Sequence, residues 1–261
     1  MKTANTLHIA AIQTAIIWEN PKANRLLFEA KINAINSKID LIILPEMFTT
    51  AFTMNANKFA EKMDGKTVFW MQKMAFEKKM AITGSMIICH NNNFYNRLLF
   101  VHPSGKIDFY DKRHSFTLAK EEQTYTAGTE KLMVTYKGWK ICPLICYDLR
   151  FPVWSRNTNT YDLLIYVASW PKKRIYAWGS LLKARAIENM SYTVGVNRIG
   201  ADNQGFEHNG HSIVLDTLGN PMSELNNEKD TIIEVILDKE KQDIARKKLG
   251  FLNDRDTFTL V

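Results

Sequence analysis

Hydrophobic and polar positions along the chain switch between two periods. Leu7 to Gln13 alternates loosely with period two, which predicts a strand. Asn20-Pro21 opens a helix to about Asn36, with Leu27, Ala30, Ile32 and Ile35 as a stripe at helical spacing. Leu41 to Leu44 is a short apolar strand that stops at Pro45, and Phe59 to Lys79 reads as mostly helical, interrupted near Gly65. Ala81 to Cys89 and Phe94 to His102 form a hairpin about Asn91-Asn92-Asn93, and Ser104-Gly105 turns into a further strand, Ile107 to Tyr110. Asp111 to Thr129 has little periodicity and reads as a long loop; loops of that length in compact domains are usually functional or disordered. Leu132 to Tyr136 and Trp139 to Ile145 form another hairpin about Lys137-Gly138. Tyr161 to Ala168 is a strand, Ile175 to Met190 a helix and Tyr192 to Arg198 a strand. Gly200 to Gly210 reads as a polar, glycine-rich loop. His211 to Asp216 and Thr231 to Leu237 are strands about a Leu218-Gly219-Asn220-Pro221 turn, Lys239 to Lys248 is a last helix, and Gly250 to Val261 is a tail.

Strands and helices interleave throughout, with no repeat, low-complexity segment or linker. That predicts one α/β domain over residues 1–261, and the adjacent hairpins predict mixed rather than purely parallel pairing. Hydrophobic content of 46% and charged content of 23% are ordinary for a globular protein. No apolar run approaches the roughly 20 residues needed to span a membrane, and Met1 to Leu7 lacks the apolar core of a signal peptide. Three cysteines are too few for a disulfide framework, so a cytoplasmic protein is expected. The net charge of +7 raises the possibility of nucleic acid. Lysine and arginine are scattered, however, with only short clusters such as Lys172-Lys173-Arg174 and Arg246-Lys247-Lys248, and no nucleic-acid-binding motif accompanies them. A solvated surface with a basic bias is the simpler reading, and a basic cleft for a small carboxylate substrate is also compatible.

Candidate chemistry starts at Cys146. The apolar run Ile141 to Ile145 ends there, and Tyr147, Asp148, Arg150 and Pro152 follow at once. A cysteine where a strand turns into a helix can point into a cleft beside backbone N–H groups. Taken alone, the stretch favours a core cysteine, since cysteine is among the most buried residues. Two further stretches change that. Glu46 follows the strand Leu41 to Leu44 and Pro45, where partial desolvation would suit a general base. Lys112 follows a strand and opens the long loop, where a cation can stabilise an oxyanion. A base, a cation and a nucleophile at strand ends are what cleavage of an amide or nitrile through a thioester requires.

Leu44-Pro45-Glu46, Asp111-Lys112-Arg113-His114 and Ile145-Cys146-Tyr147-Asp148-Leu149-Arg150-Phe151-Pro152 resemble the Glu, Lys and Cys motifs of the nitrilase, or carbon–nitrogen hydrolase, superfamily. Ala10 to Gln13, Tyr95-Asn96 and Arg185 to Asn189 also fit, so the resemblance spans essentially the whole chain. It implies a four-layer α-β-β-α sandwich of two mixed sheets. It also implies a homodimer, with residues 247–261 as a tail toward the partner. It implies Glu46 as base, Lys112 and the Tyr147 backbone N–H as oxyanion donors, and Cys146 as nucleophile. A second, supporting glutamate is implied between the Lys and Cys motifs. Counting back from Gly128 favours Glu121, with Glu122 as the alternative.

Within the superfamily, Pro45 to Met54, Cys146 to Arg156 and Asp254 to Leu260 are similar to the bacterial omega-amidase branch. That branch hydrolyses 2-oxoglutaramate to 2-oxoglutarate and ammonia. A nitrile, a carbamoylated amine or deaminated glutathione is the alternative substrate, and nucleic-acid binding is the remote alternative. Arg150, four residues after Cys146, is a candidate carboxylate anchor, or else a buried partner of Asp148. Trp170 is a candidate pocket wall, and Phe48, Phe52 and Met54 are expected to keep water from Glu46. His114 has no second ligand at metal spacing, so neither metal nor cofactor is expected. Cys89 and Cys142 are expected in the core. Cys142 lies about 13 Å from Cys146 by strand rise, too far for a disulfide.

Overall fold

The computed structural model describes residues 5–203, 205–225 and 228–259. Met1 to Ala4 of the N-terminal stretch, Gln204 of the glycine-rich loop and Leu260 of the tail motif lie outside them. The strands are β1 Thr6–Gln13, β2 Leu41–Ile43, β3 Ala81–His90, β4 Asn93–Val101, β5 Ile107–Asp111, β6 Val134–Tyr136, β7 Trp139–Ile145, β8 Leu163–Ala168, β9 Tyr192–Asn197, β10 Ile199–Ala201, β11 Glu207–Asn209, β12 Ile213–Leu215 and β13 Thr231–Asp238. The helices are α1 Pro21–Asn33, α2 Ala56–Phe59, α3 Lys66–Lys78, α4 Pro152–Ser155, α5 Ile175–Asn189 and α6 Lys239–Leu249.

Two mixed sheets form, in the orders β13-β1-β2-β3-β4-β5 and β12-β9-β8-β7-β6. Period-two alternation decides which residues face which layer. Ile9, Ala11, Leu41 and Ile43 join Ile141, Leu144, Leu163 and Ile165 of the other sheet in one core. Their neighbours Ala10, Ile12 and Ile42 face the opposite way, onto Phe28 and Ile32 of α1 and Val68 and Met71 of α3. On the far side, α5 lies so close to β9 that a Cβ on Gly195 would come within 2.4 Å of Leu182. The layers are therefore helix, sheet, sheet, helix.

The strand directions bring four loop ends together. β1, β2 and β3 run parallel, and so do β7, β8 and β9. β4 reverses against β3, and β5 reverses against β4, so β5 points the same way as β2. The segments that follow β2, β5, β7 and β8 carry Glu46, Lys112, Cys146 and Ser169.

Three expectations are corrected. The Gly200 to Gly210 stretch is not a plain loop: β10 and β11 pair there as an antiparallel ribbon. The strands on either side of the Leu218–Pro221 turn do not pair with each other. β12 joins β9 in one sheet and β13 joins β1 in the other. Phe48 does not screen Glu46. It packs edge-on to Phe28, 5.5 Å between centroids, in the core under α1 and α3. No helix among the described residues is long and apolar enough to cross a membrane.

Candidate active site

Three of the candidate side chains, Glu46, Lys112 and Cys146, follow the ends of β2, β5 and β7 closely. After β2, Met47 and Ala51 adopt left-handed backbone, with φ of 44° and 60°, which coils the chain tightly around Glu46. The Met47 N–H donates to Ser85 Oγ at 2.9 Å and the Phe48 N–H to the Ser85 carbonyl at 3.1 Å, anchoring that coil to β3. After β7, Cys146 itself has φ of 43°, a conformation that costs a non-glycine residue strain of order 1–3 kcal/mol. The strain turns the chain from strand into a 3-10 turn over Cys146–Arg150, and Pro152 then starts α4.

Asp148 holds this corner. Its fully buried carboxylate accepts hydrogen bonds from the Ile145 N–H at 3.0 Å and the Tyr110 hydroxyl at 2.8 Å. It also accepts from the His114 N–H at 3.1 Å and meets His114 Nδ1 at 2.8 Å. Tyr110 and His114 flank Lys112, so Asp148 ties the lysine segment to the cysteine corner. Asp148 is thereby engaged, and among the described residues it forms no ion pair with Arg150.

Glu46, Lys112 and Glu121 form one buried cluster. Lys112 Nζ donates to Glu46 Oε1 at 3.0 Å and to both oxygens of Glu121, at 3.0 and 2.9 Å. Glu46 also accepts from Asn96 Nδ2 at 2.9 Å and from the Ser169 N–H at 2.8 Å. Glu121 accepts in addition from the Phe116 N–H at 2.6 Å. Glu122, the alternative, is exposed and lies outside this cluster. Glu121 reaches the cluster because Lys120 takes a left-handed conformation, φ 55°, between two 3-10 turns.

The electrostatics follow from this packing. Burial opposes charge on Lys112, but Glu121 and Glu46 overcome it and hold the ammonium well above its ordinary range. Burial pushes the Glu121 carboxyl up against the pull of Lys112, and the Glu46 charge adds to the rise. Burial, reinforced by Glu46, also drives the Cys146 thiol well above its ordinary range, with Lys112 opposing. Glu46, Lys112 and the Ser169 N–H all lie close enough to the Cys146 thiol to act on its titration. The resting thiol therefore keeps its proton, with the Glu46 carboxylate nearby.

A cavity of about 230 Å³ opens onto Glu46, Lys112 and Cys146. Phe52, Met54, Tyr147, Arg150 and Trp170 line it, so the expected site residues other than Glu121 all reach one space. Lys112 Nζ lies 5.3 Å from the centre of the Phe52 ring. Further lining residues, among them Phe116, Arg174, Phe206 and His208, lie outside the sequence motifs. His208 Nε2 lies 3.3 Å from Ser169 Oγ, so the β10–β11 ribbon walls the site. Its only cue in the sequence is the concentration of glycine and polar residues between Gly200 and Gly210. The other two cysteines lie elsewhere. Cys142 is fully buried, whereas Cys89, near the end of β3, is only partly buried and, against expectation, lies outside the core. Among the described residues no cluster of His, Cys, Asp or Glu could hold a metal ion.

A model of the carbon–nitrogen hydrolase family matches residues 8–246. The chain belongs to the carbon–nitrogen hydrolase family. It is 39% identical over 257 residues to omega-amidase YafV of Yersinia enterocolitica, covering 98% of this chain and all of that one. It is 31% identical over 251 residues to a 2-oxoglutaramate amidase of Bacillus subtilis, covering 94% and 96% of the two chains. Among solved structures it is similar to XC1258 of Xanthomonas campestris, a CN-hydrolase superfamily protein with an arsenic adduct in its active site. That match has a TM-score of 0.96 and 39% identity, covering 99% and 100% of the two chains.

Proposed function

We propose that this carbon–nitrogen hydrolase is an omega-amidase that hydrolyses the terminal carboxamide of 2-oxoglutaramate to give 2-oxoglutarate and ammonia. The observation that carries the reading is the likeness, over nearly the whole chain, to a protein named as an omega-amidase. The buried acid–lysine–cysteine arrangement supplies the chemistry.

Cys146 Sγ attacks the amide carbon while Glu46 takes the thiol proton. Because the thiol resists ionisation, proton transfer and C–S bond formation are coupled. The Lys112 ammonium and the Tyr147 backbone N–H receive the developing oxyanion. Glu46 returns the proton to the leaving nitrogen, ammonia departs and a thioester remains. Glu46 then takes a proton from water as its oxygen attacks the thioester. A second tetrahedral intermediate collapses to the free acid, and the proton returns to sulfur. Glu121 keeps Lys112 charged and fixed while Glu46 cycles between its two forms. Arg150 receives the substrate's far carboxylate, and Phe52 and Trp170 form apolar walls.

Ammonia release from 2-oxoglutaramate, a nitrile and a carbamoylated amine tests the assignment. Efficient turnover of 2-oxoglutaramate is expected. Preference for either of the others would overturn it. The reading includes a cytoplasmic homodimer, and equilibrium sedimentation tests the dimer.

A further inference from the structure

Two guanidiniums line the cavity beyond the buried cluster. Arg150 follows the cysteine corner, and Arg174 precedes α5. Each lies over an aromatic ring, Arg150 5.0 Å from the Trp170 centroid and Arg174 5.0 Å from that of Phe116. Trp170 Nε1 donates to the Arg174 carbonyl at 2.9 Å, which joins the two walls through backbone rather than through the guanidinium.

Neither guanidinium has a hydrogen bond or an ion pair among the described residues. Both are half-buried, whereas the fully buried arginines have protein partners. Arg97 meets Asp111 through two hydrogen bonds, Arg185 pairs with Glu188, and Arg198 donates to the Ile16 and Ala201 carbonyls. At Arg174, burial disfavours the charge most, Cys146 and Tyr147 act in its favour, and the like charge of Arg150 acts against it. Among the described residues only Glu46 and Asp202 supply carboxylates to the lining. Glu46 is committed to Lys112, Asn96 and Ser169. Asp202 accepts from the Phe206 N–H at 2.9 Å within the ribbon. Two adjacent, partly desolvated cations without a counter-ion call for an anion.

We propose that Arg174 acts with Arg150 as a two-armed site for the 2-oxo-carboxylate end of the substrate, and that the pair selects 2-oxo acid amides against 2-amino acid amides. The inference rests on the amidase reading above. A carboxylate beside a ketone offers only acceptors, which suits two forks of N–H donors. An α-ammonium at the same carbon offers only donors and carries the same charge as both arginines. Glutamine and 2-oxoglutaramate share their length and their amide, so C2 alone separates them.

The test is kcat/KM for 2-oxoglutaramate, glutamine and pentanamide in wild type, Arg174→Met and Arg174→Lys. Wild type is expected to favour 2-oxoglutaramate over both others. In Arg174→Met the ratio of 2-oxoglutaramate to pentanamide should fall about 10- to 100-fold, mainly through KM, as for loss of a charged hydrogen bond. The ratio of glutamine to pentanamide should rise. Arg174→Lys should restore part of the first ratio and keep glutamine excluded. Thermal unfolding of both variants separates a binding loss from misfolding. Wild-type turnover of 2-oxoglutaramate with ratios unmoved in a folded Arg174→Met would overturn the two-armed site and leave the amidase reading standing. A wild type that ignores 2-oxoglutaramate would sink both.

Discussion

The Ser169 backbone N–H donates to Glu46 Oε2 at 2.8 Å, joining the segments that follow β8 and β2 across the two sheets. With Asn96 and Lys112 on the other oxygen, Glu46 is held in a fixed orientation, and its position depends on how the two sheets are stacked.

Glu46→Gln keeps the shape of the side chain and removes its basicity. Turnover of 2-oxoglutaramate is expected to fall by at least the ~10²–10⁴-fold typical of a general base. Because an amide NH₂ must now face one of three hydrogen-bond donors, stability should also drop by about 1–3 kcal/mol. Steady-state kinetics and denaturant unfolding check the two effects separately. Near-wild-type turnover across neutral pH would remove Glu46 from the mechanism.

The positions of Glu46, Lys112 and Cys146 are legible in the sequence because each follows a strand closely, and the end of a strand is a local signal. The roles of Asn96, Ser169 and Asp148 are not. Asn96 lies in mid-strand on β4, and its side chain matters only because β4 passes beside the segment that follows β2. Asp148 reads in the sequence as a possible partner for Arg150, its near neighbour. Its real partners, Tyr110 and His114, come from 38 and 34 residues away. Assigning β12 and β13 to different sheets is equally beyond reach, since alternation fixes which face is buried but not the neighbouring strand. The β10–β11 ribbon is hidden because such short strands, in a stretch rich in glycine, carry almost no period.

Cys146→Ala should abolish hydrolysis and leave the fold intact, whereas Cys142→Ser should retain measurable turnover. The thiol environment gives a second readout. Burial and the Glu46 carboxylate both hold the Cys146 proton on, so removing that charge in Glu46→Gln should bring thiolate formation to lower pH. Ultraviolet titration of thiolate absorbance, with Cys146→Ala subtracted, measures the midpoint. A midpoint that stays put or rises would mean Glu46 does not act on the sulfur as described.

Gly128 sets the distance between the long loop and Lys112. Its N–H donates to the Lys112 carbonyl at 2.9 Å, and an added Cβ would sit 2.2 Å from the Asp111 carbonyl oxygen. Gly128→Ala must displace the end of β5. A cost of about 1–3 kcal/mol, as for overpacking elsewhere, should accompany reduced turnover. Wild-type values for both would mean the loop yields without moving Lys112.

His208 should make stability depend on pH. Burial, with Arg198 nearby, depresses its imidazole from 6.5 to about 4. The unfolded chain therefore binds the proton first as pH falls. Stability from this group is complete above about pH 6.5 and is lost between there and about pH 4, up to about 3 kcal/mol. His208→Gln should flatten the slope of unfolding free energy against pH in that window, relative to wild type. Identical slopes would show that the histidine does not resist protonation.

Glu121 and Glu122 are adjacent acids with opposite surroundings, which makes them a matched pair for testing how Lys112 is held. Glu121 is 1% exposed and receives two hydrogen bonds from Lys112 Nζ, whereas Glu122 lies in solvent. In Glu121→Gln, Lys112 keeps Glu46 as its only carboxylate, and that carboxylate is neutralised whenever it takes up a proton. The ammonium is then free to shift from the oxyanion position at the moment it is needed. Displacements of this kind cost on the order of 10²-fold in rate, so kcat should fall by about that much while KM changes little. Glu121 is also the strongest influence holding the Lys112 proton on. Its loss should move the alkaline limb of the pH–rate profile to lower pH, an effect that loosened packing alone would not produce. Glu122→Gln should leave the limb in place and alter kcat little. If the two variants behave alike, or if Glu121→Gln raises KM with kcat intact, Glu121 does not position the lysine.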